Sequence, residues 1–204
     1  MNIVACGALA NELIALKQLN GWDHLRISCL PAHYHQTPQR IPGAVKTAIE
    51  KIRLRNNDPI LVAYGDCGTG GKLDEVLAET GAERLPGAHC YQFFAGNAEF
   101  MQMHEAEIGT FYLTDFLVRH FDTYVIKALG LNRKPELMET YFGNYTRLMY
   151  LAQTQSDSLT ALAKTHAETL GLEYAYHYTA FGELGSALSS AMSVTVPGPE
   201  LCLI

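Results

Sequence analysis

The chain has 204 residues, of which 48% are hydrophobic, and its 21 acidic and 15 basic side chains give a formal charge of −6. This composition is sufficient for one substantial core. Because the sequence contains no basic block and no apolar run of about 18 residues, it predicts neither a nucleic-acid partner nor a membrane span. Met1 leads directly into an apolar segment and leaves no room for a signal peptide, so we expect a cytoplasmic protein.

Apolar runs and helical patterns alternate in the first part of the chain. The runs predict strands at Asn2–Cys6, Leu25–Leu30 and Ile60–Tyr64, and the helical patterns predict helices at Ala8–Leu19, 43–55 and Leu73–Thr80. Short connections between strands and helices indicate a parallel sheet with right-handed crossovers.

The second part of the chain has a weaker pattern. It predicts strands at Gly109–Leu113 and Leu172–Tyr178, and a short strand or loop at Gly87–Cys90. The predicted helices are Tyr91–His104, Asp115 to Leu129, one that begins at Pro135, Leu159–Leu170 and Gly182–Met192. The tail at Val194–Ile204 is predicted to be extended or loosely attached.

The alternation as a whole predicts the α/β class, with a doubly wound, mostly parallel sheet and helices on both faces. We expect a single domain over residues 1–204. This domain could be divided into two lobes, at residues 1–85 and 86–193, followed by a tail at 194–204. The two lobes would then be pseudo-repeated halves around a crevice.

Three cysteines occupy positions that favour a shared site. Cys6 and Cys67 each follow a predicted strand and precede a glycine, and Cys90 follows a Pro-Gly turn. The carboxyl ends of parallel strands meet at one edge of the sheet, where ligands bind. Thiolates suit zinc or an iron–sulfur cluster, and a catalytic zinc keeps three protein ligands and one open position. We therefore predict a metal site, zinc first, and interpret Cys29 and Cys202 as core residues.

Three further residues are candidates for catalysis at this edge of the sheet. His35 lies one residue beyond Tyr34 in the loop after the second strand and could complete a metal shell or act as an acid–base group, although spacing alone does not separate it from His33. Asp66 and Asp115 follow later strands; each either faces the crevice or caps a helix.

The segment from Gly65 to Lys72 is rich in glycine. It matches neither of the two common nucleotide-binding patterns, but Gly68, Thr69 and Gly70 could allow the backbone to approach a metal or small substrate closely. Tyr145 and Arg147 are additional candidates for ligand binding. Arg147 could neutralise an anionic group and Tyr145 could donate a hydrogen bond, the alternative being that this aromatic segment packs a helix onto the sheet.

The sequence resembles the domain of unknown function 1638 family. The similar pieces are Val4–Gly7, Leu30–Ala32 with His35 and Pro38, Tyr64–Gly70, Pro86–Gly87 with His89–Tyr91, Phe111–Phe116 and Tyr141–Tyr145. The residues around His33 depart from the Leu-His-Asn form associated with the family, which favours His35 over His33. The resemblance implies an association with corrinoid-dependent methyl-transfer systems.

These observations lead to four hypotheses. The first is a zinc-dependent enzyme acting on a small molecule, with methyl transfer to a thiol or hydrolysis as its reaction. The second is a non-catalytic accessory or chaperone that binds a metal or a corrinoid or methyltransferase protein. The third is an iron–sulfur protein, and the fourth is covalent catalysis by Cys67 without a metal. A homodimer is expected only because it is the commonest assembly of soluble proteins.

Overall fold

The computed structural model describes residues 1–195, and side chains up to residue 192. Cys202 and the greater part of the predicted tail lie outside the described residues. The strands are β1 Asn2–Cys6, β2 Arg26–Leu30, β3 Ile60–Ala63, β4 Glu83–Arg84, β5 Thr110–Thr114, β6 Arg147–Ala152 and β7 Glu173–Tyr178. The α-helices are α1 Ala10–Leu19, α2 Ile41–Arg53, α3 Lys72–Thr80, α4 Cys90–Ala95, α5 Asn97–Ala106, α6 Asp115–Arg119, α7 Leu137–Phe142, α8 Asp157–Leu170 and α9 Gly182–Thr195.

The first sheet has four parallel strands in the order β2-β1-β3-β4. The chain passes from β1 to β2 on one side and then returns to place β3 on the other side of β1. Strand order therefore reverses between β1 and β3, and the crevice beyond the carboxyl ends of two such strands is where open α/β sheets bind ligands. Cys6 is the last residue of β1, so the sequence places a thiol at this point.

The second sheet has three parallel strands in the order β5-β6-β7. The prediction of an α/β fold with mostly parallel strands is thus confirmed, with the strands divided between two sheets. Each sheet has apolar clusters against both faces, as expected for parallel strands.

Helices cover both faces of the first sheet. Helices α1 and α9 pack on one face through residues such as Leu13 and Leu184, and α2 and α3 pack on the other through residues such as Val45 and Leu73. The chain returns to the first sheet after β7, the last strand of the second sheet, because α9 packs against the first sheet. A division between residues 85 and 86 therefore does not separate the chain into independent cores.

Two strands were not predicted from the sequence. They are β6, the central strand of the second sheet, and the two-residue β4. The helix predicted at Tyr91–His104 is interrupted at Gly96, which has a positive φ of 81°. The helix predicted from Asp115 to Leu129 ends at Arg119 and is followed by a π-helical turn at Asp122–Ile126. Within residues 1–195, no helix has the length and apolar character needed to cross a bilayer.

Candidate functional site

A cavity of about 40 Å³ lies at the carboxyl ends of β1 and β3, where the strand order reverses. The second sheet contributes to its wall through Thr114, the last residue of β5, and through Phe116 and Tyr124 beyond it. The rest of the wall includes Cys6, His35, Tyr64, Cys67 and Cys90. A cavity of this size has room for an ion with small ligands.

Two glycines allow the loops around this cavity to approach one another. A Cβ at Gly7 would lie 2.9 Å from the carbonyl oxygen of Leu30, and a Cβ at Gly65 would lie 3.0 Å from that of Ala88. The loop after β3 is joined to the segment before α4 by hydrogen bonds from the Asp66 amide to Gly87 (3.2 Å) and from the Cys67 amide to Ala88 (2.9 Å). These backbone contacts bring Cys67 and Cys90 to the same cavity.

Cys67 has a left-handed backbone conformation, with a φ of 51°. A non-glycine residue in this region is strained by about 1 kcal/mol or more, and such strain concentrates at functional sites. The same loop has glycines at positions 65, 68, 70 and 71. Glycine would adopt the conformation of residue 67 without strain, so the presence of cysteine there supports a role for its thiol.

The three thiols of the cavity have raised pKa values. Burial is the main cause for each; it raises the pKa of Cys67 to about 11 and that of Cys90 well above its ordinary value. The thiols also oppose one another's ionisation, since the charge of Cys6 raises the pKa of both Cys67 and Cys90. Without a cation in the cavity, the three groups are therefore neutral at pH 7.

His35 lines the cavity, whereas His33 lies outside it with its ring against Tyr34. The imidazole of His35 keeps contact with solvent at the mouth of the cavity. The surrounding protein and, secondarily, the nearby His89 lower its pKa. His35 is thus a neutral base near pH 7, open to a ligand on one side and to water on the other.

Tyr64 was not singled out from the sequence, although it stands between the buried strand and Gly65. Its side chain is 2% exposed and lines the cavity. Burial raises its pKa, followed by the charge of the neighbouring Cys6 thiol and a hydrogen bond with it. Tyr64 is therefore a neutral phenol beside one of the predicted thiol ligands.

Asp66 organises the glycine-rich loop. Its carboxylate accepts hydrogen bonds from the Thr69 hydroxyl (2.6 Å) and the amides of Gly71 (3.0 Å) and Gly70 (3.2 Å). The Thr69 hydrogen bond and then the Gly71 amide lower the pKa of Asp66 to about 2. The amides of Thr69 and Gly70, which were predicted to approach a ligand, donate instead to the carbonyl and carboxylate of Asp66. Asp66, Gly68, Thr69 and Gly70 do not line the cavity, and α3 begins after Gly71 without a side-chain cap. These contacts therefore order the loop itself.

Asp115 is fully buried and joins the ends of β5 and β6. Its carboxylate accepts hydrogen bonds from the Tyr150 hydroxyl (2.6 Å), the Gln153 amide (3.0 Å) and the Thr154 hydroxyl (2.5 Å). It does not line the cavity, and the cap of α6 is Thr114, which accepts from the Leu117 amide. The structure therefore places Asp115 in a buried hydrogen-bond network, outside the cavity that the thiols line.

Tyr145 and Arg147 lie away from the cavity. Arg147 begins β6 and is paired in register with Thr110, the first residue of β5, so both are at the amino ends of the strands. Its guanidinium donates to the Thr110 hydroxyl at 3.0 Å. The ring of Tyr145 packs against Phe111 and Phe142. The packing interpretation thus accounts for both residues, and neither is placed to bind a ligand of the cavity.

The predicted metal ligands share the cavity without forming a compact cluster. Within residues 1–195, no three side chains of His, Cys, Asp or Glu are grouped closely enough to hold a metal ion. Three sulfurs and an imidazole nitrogen are nevertheless the donor set that suits zinc, and all four side chains line one small volume. Binding would require side-chain rotations that turn the thiols towards its centre.

Comparison with known proteins identifies the family. The profile of the proteins of unknown function grouped as DUF1638 matches residues 29–188. The chain belongs to this family. The matched range contains His35, Cys67 and Cys90, and Cys6 lies before it. No curated protein and no solved structure shows significant similarity to the chain.

Proposed function

We propose that this member of the DUF1638 family is a zinc-dependent protein that acts on a small molecule. Cys6, Cys67 and Cys90 are the proposed ligands, and the fourth position is left for the substrate. The observation that carries the proposal is the arrival of three thiols and His35, from four separate segments of the chain, at one cavity of about 40 Å³. The reversal of strand order at the same place supports a ligand site.

The environment of the thiols favours a metal over covalent catalysis by Cys67. A nucleophilic cysteine needs a depressed pKa, from a helix amino terminus or a neighbouring cation. Here burial raises the pKa of Cys67 to about 11, and α3 begins only at Lys72. Replacing three competing protons with one divalent cation removes both the burial penalty and the mutual repulsion of the thiolates.

The donor set makes zinc the first candidate for the metal. Three thiolates and an imidazole suit zinc, and all four side chains line the same cavity. An iron–sulfur cluster held by the same three thiolates is the alternative, and its colour would distinguish it from zinc.

Methyl transfer to a small thiol is the reaction that we propose. Three thiolates around a divalent zinc leave a net charge of −1, which weakens Lewis acidity and favours an electron-rich bound sulfur over activation of water. The acceptor thiol loses its proton, its sulfur bonds to the methyl carbon, and the donor–methyl bond breaks with its electron pair on the donor. His35, which lines the cavity, is the proposed acceptor of this proton, and the family resemblance supports a corrinoid as the donor.

Substitution of individual cysteines tests the proposal. Cys6→Ser, Cys67→Ser and Cys90→Ser should each reduce bound zinc at least tenfold, whereas Cys29→Ser should retain it. Cys29 is a matched control because it is a free thiol on the neighbouring strand β2, outside the cavity. It is exposed in the structure, so the prediction that it is a core residue is wrong. Zinc content is measured by elemental analysis after purification without oxygen. Equal zinc in all four variants would refute the ligand set.

The role of His35 is tested separately from metal binding. His35→Ala should leave zinc bound and lower methyl transfer by about 10²–10⁴-fold, the usual contribution of a general base. His33→Ala is the control, because His33 lies outside the cavity, and it should change neither quantity. Loss of zinc in His35→Ala would instead make His35 the fourth ligand.

A further inference from the structure

A second concave surface lies between the edge strand β2 and helix α2, and we name it the basic groove. The volume of this groove is about 700 Å³. Its lining includes Ser28 and Leu30 of β2 and Arg40, Thr47, Lys51 and Arg55 along α2 and at its ends. None of these residues lines the thiol cavity.

The groove carries positive charge that the described residues do not neutralise. Its lining includes Arg40, Lys51 and Arg55, all exposed, and no acidic residue. Within residues 1–195, Lys51 and Arg55 form no side-chain hydrogen bond or ion pair. The guanidinium of Arg40 lies 4.9 Å from the centre of the Tyr34 ring. The groove is therefore a cationic surface on a chain whose net charge is −6.

Other basic residues beside the groove are paired. Arg26 contacts Asp58 at 3.4 Å, and Arg53 donates to the backbone carbonyls of Asn57 and Asp58. The fold thus satisfies the cations next to the groove and leaves those inside it facing solvent. This difference leaves the groove cations free to meet an external anionic partner.

The spacing of the cations fits an extended chain better than a single phosphate. At the helical rise of 1.5 Å per residue, Arg40 and Arg55 are separated by about 22 Å, whereas Lys51 and Arg55 are about 6 Å apart. A strand of about seven residues spans the same distance. One phosphate could reach only one end of this stripe.

The edge of β2 supplies a second feature for recognition. Among the described residues, β2 pairs with β1 alone, so its other side presents backbone N–H and C=O groups. An extended peptide can form main-chain hydrogen bonds with such an edge, and its alternate side chains then face the adjoining helix. A nucleic acid offers no matching backbone, so the combination of edge and cations favours a polypeptide.

We propose that the basic groove binds an acidic segment of a partner protein, which adds to the first sheet alongside β2 in an extended conformation. Alternate side chains of the bound segment point towards α2, where their carboxylates meet Arg40, Lys51 and Arg55. The inference does not depend on the zinc site, because the two surfaces share no residue.

Peptide binding by the full chain tests this proposal. The probe is a fluorescein-labelled eight-residue peptide of alternating Glu and Val, and anisotropy reports its Kd. We expect binding that weakens with salt, and at least a tenfold loss in the double variant Lys51→Glu/Arg55→Glu. Arg133→Glu/Lys134→Glu is the control, because it makes the same charge change at two exposed residues outside the groove.

Two further probes separate pairing with the strand edge from simple charge attraction. The same peptide N-methylated at alternate residues keeps its charges but loses backbone donors, and it should bind at least tenfold more weakly. A labelled oligothymidylate of equal charge should bind more weakly than the Glu-Val peptide. Equal binding of the N-methylated peptide, tighter binding of the oligonucleotide, or an unchanged Kd in the double variant would overturn the proposal.

Discussion

Replacing Asp115 with alanine is expected to lower the free energy of unfolding by about 3–5 kcal/mol, the usual cost of breaking a buried charged network. The carboxylate is fully buried and accepts three hydrogen bonds, two of them from the Tyr150 hydroxyl and the Gln153 amide. Alanine removes the acceptor and leaves those buried donors unpaired between β5 and β6. Urea denaturation followed by circular dichroism measures the loss.

Asp122→Ala is the matched control for this variant. Asp115 forms an ion pair with Arg119 at 3.8 Å. Asp122 forms one with Lys127 at 2.6 Å, but there both side chains are more than half exposed. Surface pairs contribute about 0–1 kcal/mol, so this substitution should have little effect. Asp115→Asn should fall between the two, because an amide oxygen can still accept from Tyr150. If Asp115→Ala cost no more than Asp122→Ala, the buried network would not have the structural role assigned to it.

The affinity for zinc is expected to fall steeply as the pH decreases. The pKa values of Cys6, Cys67 and Cys90 are raised, with that of Cys67 at about 11, so at neutral pH each thiol must release a proton before it binds zinc. Each released proton changes the Kd tenfold per pH unit. Three protons therefore predict a Kd about 1,000-fold higher at pH 7 than at pH 8. The lowered pKa of His35 leaves its imidazole neutral over this interval.

Calorimetric titration in two buffers of different ionisation enthalpy counts the protons directly. We expect about three protons released per zinc in the wild-type protein and about two in Cys90→Ser, if that variant retains weak binding. Release of fewer than one proton would mean that the thiols are not the ligands. Cys29→Ser should release the same number as the wild type, because Cys29 lies outside the cavity.

The sequence predicted three of the four strands of the first sheet and the thiols at its edge, because both depend on local signals. The run at Ile60–Ala63 is buried throughout, and a glycine follows Cys6 directly and Tyr64 directly, which marks the ends of strands. Parallel pairing then brings these ends together wherever the strands lie in the sheet. His35 was placed at the same edge for the same reason.

The second sheet was harder to predict because β6 carries an ambiguous signal. Arg147–Ala152 is a short apolar run without a β-branched residue, and periodicity alone cannot separate a buried strand from a helix in such a run. Missing β6 also obscured Asp115, whose partners Tyr150 and Gln153 lie in and just after that strand. Tyr64 gave no signal either, since its position beside Cys6 on the cavity wall is visible only in three dimensions.

X-ray absorption at the zinc edge, on wild-type protein loaded with one equivalent of zinc, tests the central claim most directly. We expect three sulfur neighbours at about 2.3 Å and one nitrogen or oxygen neighbour at about 2.0 Å, and two sulfur neighbours in Cys90→Ser. A shell of nitrogen and oxygen atoms alone, or a sulfur count that stays at three in Cys90→Ser, would contradict the assignment of Cys6, Cys67 and Cys90 as the ligands.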